Sequence, residues 1–422
     1  MERILRTTRR ATRRIVRGLL TNWMMETAHD AARLGQPAPP RVNADNQIAL
    51  RKQEAPVRFK LLMGLASVVL SVAMVEGSVR WLYKTPYQWE RRLMFFSEGR
   101  NFRNTDWGGF VYQPHARIHS RTYYITSLEP LEVQPEYDYE FTTNGNGLVQ
   151  LKELDPSKTA IVFLGDSFTD GQGARPWFYR LEEEWPEGSR YQIVNGGIVG
   201  TGIEAWGRLY KAMSTQFRIT KAVVIFISED WTRVVWQFSR NRLQCLHTGA
   251  MCEGPEDFYG LSEDPIEAKA QIDHIARYRV DYFSRLREGT NAISRSATYT
   301  NLVLPTFDRL MRFRYTGSFE TRDSKQFETS TKVAAGLVAD LGRENVLFIY
   351  LPQKNELDTG PRSFGRQAHD FIVQSGFAFV DGRAKCGLSI RDYYERDGHP
   401  NEHGYAKIAS CVQDAVATAF RP

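Results

Sequence analysis

A serine stands at the end of an apolar run in Ile161-Val162-Phe163-Leu164-Gly165-Asp166-Ser167-Phe168-Thr169-Asp170-Gly171, where a strand would deliver it into a glycine-containing turn. A free serine hydroxyl is a poor nucleophile at neutral pH and needs a base beside it. The stretch Asp397-Gly398-His399-Pro400-Asn401-Glu402-His403-Gly404-Tyr405 offers one. His399 can take the serine proton, while Asp397 can orient the ring and stabilise the imidazolium formed during attack. Ser167, His399 and Asp397 are therefore the candidate catalytic residues, with Asp392 in reserve for Asp397. Such a set attacks the carbonyl of an ester.

Bringing residues 167 and 399 together requires a scaffold. Short apolar runs recur at Ala160–Leu164, Gln192–Val194, Ala222–Ile227, Val346–Leu351 and Ala378–Val380. Between them lie stretches of helical periodicity, Ile203–Gln216, Gln326–Leu341, Ser363–Gln374 and Gly404–Ala419. Strands alternating with helices predict an α/β fold, a doubly wound and mainly parallel sheet covered on both faces, over residues 156–422. Open sheets of this kind bind ligands beyond the carboxyl ends of their strands, which is where Ser167 would sit. The alternation does not need residues 231–343, which read as a largely helical insertion with helices near Ile266–Leu286 and Thr300–Phe313. Residues 84–155 are aromatic-rich, carry strand-like alternation at Tyr137–Thr143 and end in the turn Asn144-Gly145-Asn146-Gly147, an extension packed on the main domain.

From Gly165-Asp166-Ser167, Asn195-Gly196-Gly197-Ile198-Val199-Gly200 and His399-Pro400-Asn401 followed by Gly404, the sequence resembles the SGNH hydrolases, also called the GDSL esterase family, over residues 156–420. The resemblance implies a flavodoxin-like three-layer fold, Ser167 as nucleophile, and the backbone N–H groups of Ser167 and Gly200 as donors to the oxyanion. The family usually has Asp three residues before its histidine; here Arg396 holds that place and Asp397 lies two before. Its third block normally presents an asparagine as a further oxyanion donor, and here Ile227-Ser228-Glu229-Asp230 puts Glu229 in that role. An ionised glutamate accepts hydrogen bonds and cannot donate one to an oxyanion. Glu229 is then protonated, or turned away while Ser228 or another group donates, or the activity is weak. Trp231 and Trp236 either stack on sugar rings of a substrate or fill core at the base of the insertion.

Composition places the rest. Hydrophobic content of 42% and charged content of 25% are those of a folded globular chain. The net charge of +6 is confined to the start: residues 1–60 hold 13 Lys/Arg and 5 Asp/Glu, and the remainder holds 42 and 44. A near-neutral body argues against nucleic-acid binding. The uncharged run Leu61–Val75, extended to 58–83 by flanking charges and by Trp81 and Tyr83, is expected to be a single transmembrane helix contacting membrane lipid. It follows a basic cytoplasmic leader and linker, 1–57, whose arginines suit either a helix on anionic lipid or a disordered tail. The charge bias puts the N-terminus in the cytoplasm of a bacterium and the catalytic domain in the periplasm, on the inner membrane.

Cysteine pairs Cys245–Cys252 and Cys386–Cys411 are expected to form disulfides in that compartment. No metal is expected, because no CxxC pair or tight Cys/His cluster is present. No cofactor is expected either: Gly171, Gly173, Gly196, Gly197 and Gly200 match neither the dinucleotide fingerprint nor a phosphate loop. The expected function is a membrane-anchored serine esterase or acyltransferase acting on O-acyl groups, chiefly O-acetyl, of an envelope polysaccharide. The alternatives are a lipase or thioesterase, and a catalytically weakened glycan-binding protein.

Overall fold

The computed structural model describes residues 67, 70–75, 78, 92–97, 101–128, 130–185, 190–248, 258–287 and 319–420. The chain divides into two compact units, 1–68 and 69–422. Of the first, residue 67 alone is described, and it is helical. The expected span 58–83 lies mostly outside the described residues; 70–75 and 78 are helical, and among the described residues no helix is long and apolar enough to cross a membrane.

In chain order the second unit begins with strands β1 (Arg92–Ser97), β2 (Phe102–Asn104), β3 (Phe110–Tyr112), β4 (Arg117–Leu128) and β5 (Leu131–Thr142). It continues through β6 (Thr159–Gly165), helices α1 (Ser167–Asp170) and α2 (Trp177–Glu184), β7 (Tyr191–Gly197), α3 (Ile203–Ser214) and β8 (Arg218–Phe226). The insertion follows, with α4 (Arg240–Thr248), β9 (Phe258–Leu261), α5 (Pro265–Arg287) and α6 (Phe319–Leu341). The chain closes with β10 (Val346–Tyr350), α7 (Glu356–Thr359), α8 (Ser363–Gln374), β11 (Ala378–Asp381), α9 (Gly382–Lys385) and α10 (Glu402–Ala419).

Five strands form one parallel sheet in the order β11-β10-β8-β6-β7, matching the five apolar runs of the sequence. Burial on both faces explains why those runs are continuous rather than alternating. Ala160, Val162 and Leu164 of β6 face one core with α3 and α6, and Ile161 and Phe163 face the other with α2 and α10. The strand order reverses between β6 and β8. Ligands in doubly wound sheets bind at such a switch point, beyond the strands' carboxyl ends, so the turns after Gly165 and Phe226 flank the natural site.

The extension is more than a cover. Strands β5, β4 and β1 form an antiparallel ribbon, and β9 from the insertion pairs parallel to β1 to complete a second sheet, β5-β4-β1-β9. The insertion, expected to be largely helical, thus also contributes a strand. Helix α5 matches the expectation for Ile266–Leu286, and the helix expected at Thr300–Phe313 lies outside the described residues.

Cys386 and Cys411 are disulfide-bonded, with Cα atoms 5.1 Å apart. Cys245 is also disulfide-bonded, and Cys252 lies outside the described residues. The Cys386–Cys411 bridge closes a 25-residue loop that contains Asp397 and His399. Chain-entropy arguments give such a closure about 3 kcal/mol. Cys386→Ser together with Cys411→Ser is expected to lower unfolding free energy by about that amount, read from denaturant melts.

Candidate active site

Strand β6 ends at Gly165, and the chain turns directly into α1, whose first residue is Ser167. The Asp166 carboxylate caps this short helix by accepting from the Phe168 N–H at 2.9 Å. The loop after β7 is tied to the same turn, Ile198 N–H donating to the Gly165 carbonyl at 3.1 Å, and the end of β7 is braced by Gly197 N–H donating to Asn195 Oδ1 at 2.9 Å. Gly197 has no room for a side chain, because a Cβ would lie 2.5 Å from the Asp170 nitrogen. Gly200 has φ +70, the left-handed conformation that favours glycine.

At the other end of the domain, Asn401 caps α10 by accepting from Gly404 N–H, which explains the Pro-Asn-x-x-Gly spacing after His399. Tyr394 N–H donates to the His399 carbonyl at 3.1 Å, so a narrow antiparallel turn presents the imidazole. Its Nε2 lies 2.8 Å from Ser167 Oγ, 232 residues away in sequence. Its Nδ1 bonds Asp397 Oδ1, which also accepts the His399 backbone N–H at 3.0 Å. With the carboxylate fixing the proton on Nδ1, Nε2 keeps a lone pair to receive the serine proton. Ser167, His399 and Asp397 therefore converge as the sequence predicts, and the two-residue Asp-to-His spacing is sufficient.

Asp397 is 2% exposed. Burial pushes its carboxyl up, but the His399 charge and hydrogen bonds, with the nearby Arg92 guanidinium, outweigh that and hold it well below the usual carboxylate range. The reserve residue Asp392 belongs elsewhere: it accepts from Ser389, from His403 Nδ1 at 2.6 Å and from Lys407 Nζ at 2.8 Å.

Around the second carboxylate oxygen of Asp397 are groups that sequence reasoning missed. Tyr124 Oη donates at 3.2 Å from β4 and Tyr137 Oη lies at 3.3 Å from β5, while Arg92 of β1 stands 3.9 Å away. Glu136 of β5 accepts from the Arg396 backbone and guanidinium at 2.7 and 2.9 Å, and from Asp397 N–H at 3.3 Å. Only strand-like alternation marked this segment, and it identified Tyr137–Thr143 as a strand without saying what it touches.

Two expectations need correction. Trp231 is 0% exposed, its ring within 6 Å of Phe226, Phe327 and Phe371, so it fills core and cannot line a substrate site. Trp236 packs on Phe110 and Phe238, and its indole N–H donates to the Gly200 carbonyl at 3.1 Å, bracing the loop after β7.

Glu229 is the second. Its carboxylate is half-exposed and paired with the Arg362 guanidinium, with Arg233 at 3.8 Å, so it is an ion-pair acceptor and no oxyanion donor. Ser228 does not replace it: its hydroxyl is buried where a Cβ on Gly365 of α8 would come within 2.0 Å. Arg233 links this block to the serine turn, donating to Asp166 Oδ2 at 2.8 Å and Asp230 Oδ1 at 2.6 Å. Burial opposes the Arg233 charge, but Asp230 and Asp166 outweigh it and push its pKa up. The Ser167 and Gly200 N–H groups are the oxyanion donors that the family resemblance implies. Glu229→Ala is accordingly expected to change kcat less than about tenfold, whereas loss of a working donor costs roughly 100- to 1000-fold. A fall of the larger size would return Glu229 to the oxyanion site.

Comparisons with protein-family profiles and with curated proteins find no match. Among solved structures, the chain is similar to a lipase/acylhydrolase from Enterococcus faecalis, at 11% identity, 63% of this chain, 98% of that one and a TM-score of 0.31. It is also similar to a GDSL-like lipase from Bacteroides thetaiotaomicron, at 12% identity, 64% and 93% coverage and a TM-score of 0.30. A catalytic mutant of an acetylxylan esterase from Geobacillus stearothermophilus matches at 13% identity, 63% and 96% coverage and a TM-score of 0.31. Likeness of this degree carries no inference about substrate or chemistry.

Proposed function

We propose that this chain is a serine esterase or O-acyltransferase of the SGNH type, acting on O-acyl groups, chiefly acetyl, of an envelope polysaccharide. The observation that carries the reading is the continuous Ser167–His399–Asp397 hydrogen-bond chain at the sheet's switch point. Ser167 Oγ attacks the ester carbonyl carbon while His399 Nε2 takes its proton, and the oxyanion forms against the Ser167 and Gly200 N–H groups. His399 returns the proton to the departing sugar oxygen, leaving an acyl-serine. Water, deprotonated by the same imidazole, releases the acid; a sugar hydroxyl in its place completes transfer.

Ser167 is 5% and His399 9% exposed, so both reactive groups are buried. The basic leader and the apolar stretch 58–83 support an inner-membrane anchor, with lipid around one span and the catalytic unit in the periplasm.

Aryl esters of increasing acyl length test the reading. Purified chain should release acid fastest from the acetyl ester, and activity should fall by about 10⁴- to 10⁶-fold in Ser167→Ala. A preference for long chains would turn the assignment to a lipase. Adding a glycan acceptor and following acetylated sugar separates transfer from hydrolysis.

A further inference from the structure

The groups around Asp397 come from strands β1, β4 and β5, which precede the parallel sheet that carries the triad. Gln172 Nε2 donates to Tyr137 Oη at 2.5 Å. With that donor in place, the single phenolic hydrogen of Tyr137 is free to point at Asp397 Oδ2, 3.3 Å away. Gln172 is itself fixed to the serine turn: its backbone N–H donates to the Ser167 carbonyl at 3.0 Å, and its carbonyl accepts from Tyr405 Oη at 2.8 Å. The bonds close a ring running Ser167, His399, Asp397, Tyr137, Gln172 and back to Ser167. Tyr124 adds a second phenol to the same oxygen from the neighbouring strand.

We propose that Tyr124 and Tyr137 are positioning residues for the catalytic carboxylate, so that the sheet of β1, β4 and β5 is part of the catalytic apparatus rather than an accessory. The inference rests on the esterase reading for its kinetic effect. An ionised carboxylate buried without partners is costly, and each donor to it both stabilises the charge and fixes the plane of the group. Here Asp397 accepts on one oxygen from His399 and on the other from the two phenols, with Arg92 behind them. That arrangement sets the imidazole where Nε2 meets Ser167. Other charged and titratable groups facing this loop include Glu136 of β5 and Arg396, paired with each other, the Tyr394 phenol, and Lys354, whose Nζ donates to the Tyr394 and Glu395 carbonyls. Both phenols are held well above their ordinary range, chiefly by burial and then by the Asp397 charge, so they remain donors across the working pH range.

Phenylalanine keeps each ring and removes only the hydroxyl, so the full chain carrying Tyr124→Phe, Tyr137→Phe or both is the test. Each single change should lower kcat for an aryl acetate about tenfold, and the pair about 100-fold, with KM little altered. With fewer donors, Asp397 draws the imidazole proton more strongly, so the low-pH limb of kcat should move to higher pH in the double variant. The downfield proton resonance of the His399 Nδ1–H, which needs no turnover, should shift or broaden as well. A folded double variant with wild-type kcat, pH limb and downfield resonance would overturn the proposal. If wild type itself proves inactive, the esterase reading fails, and the resonance alone decides whether the phenols position the pair: a shift supports it and an unchanged signal refutes it.

Discussion

Ser167→Ala is expected to lower kcat for an aryl acetate by about 10⁴- to 10⁶-fold while leaving the thermal midpoint nearly unchanged. The size follows from the chemistry: no other hydroxyl among the described residues bonds the His399 Nε2, so no acyl-serine can form. The fold is spared because the Oγ makes one strong contact, to His399, and one long approach of 3.4 Å to Asp166 Oδ2. The cap on α1 is made by Asp166 and does not involve the serine side chain. Residual rate should reflect only binding and the N–H groups of the oxyanion site. A pre-steady-state burst of aryl alcohol, present in wild type and absent in the variant, reads the lost covalent step directly.

Asp397→Asn is expected to cost about 10³- to 10⁴-fold in kcat with little change in KM. The cause is the direction of the hydrogen bonds. Tyr124 and Tyr137 present two O–H donors to one side of this side chain, with Arg92 beyond them. Asparagine removes the charge that stabilises the imidazolium, and where its NH₂ faces His399 Nδ1 it presents a donor in place of an acceptor. That nitrogen then accepts, the ring proton moves to Nε2, and the base can no longer take the proton of Ser167. Kinetics compared with a melting curve separates this from unfolding: the variant should stay folded, and a rate within tenfold of wild type would mean that Asp397 does not set the tautomer.

Much of this was legible in the sequence because its signals are local. The five strands of the parallel sheet are short β-branched runs between turns, and burial on both faces makes such runs stand out. Ser167 and His399 each sit in a compact turn whose glycines, caps and proline are contiguous with them. What was not legible depends on partners far along the chain. Tyr124 and Tyr137 meet Asp397 across 273 and 260 residues and occupy ordinary alternating strands. The carboxylate of Glu229 is set by Arg362, 133 residues away. Trp231 looked available for stacking because it follows a functional block, yet α6 and α8 close over it with Phe327 and Phe371. Strand β9 is four residues long and pairs with β1, a register that no periodicity announces.

On the proposed reading, His399 makes Ser167 a nucleophile, alone among the serines of the described residues. Peptide-resolved mass spectrometry of the full chain after treatment with an aryl fluorophosphonate tests it most directly. One stoichiometric phosphonyl adduct is expected, on Ser167, formed far more slowly in His399→Ala. A folded chain that stays unmodified, or that carries the adduct on another residue, would contradict it.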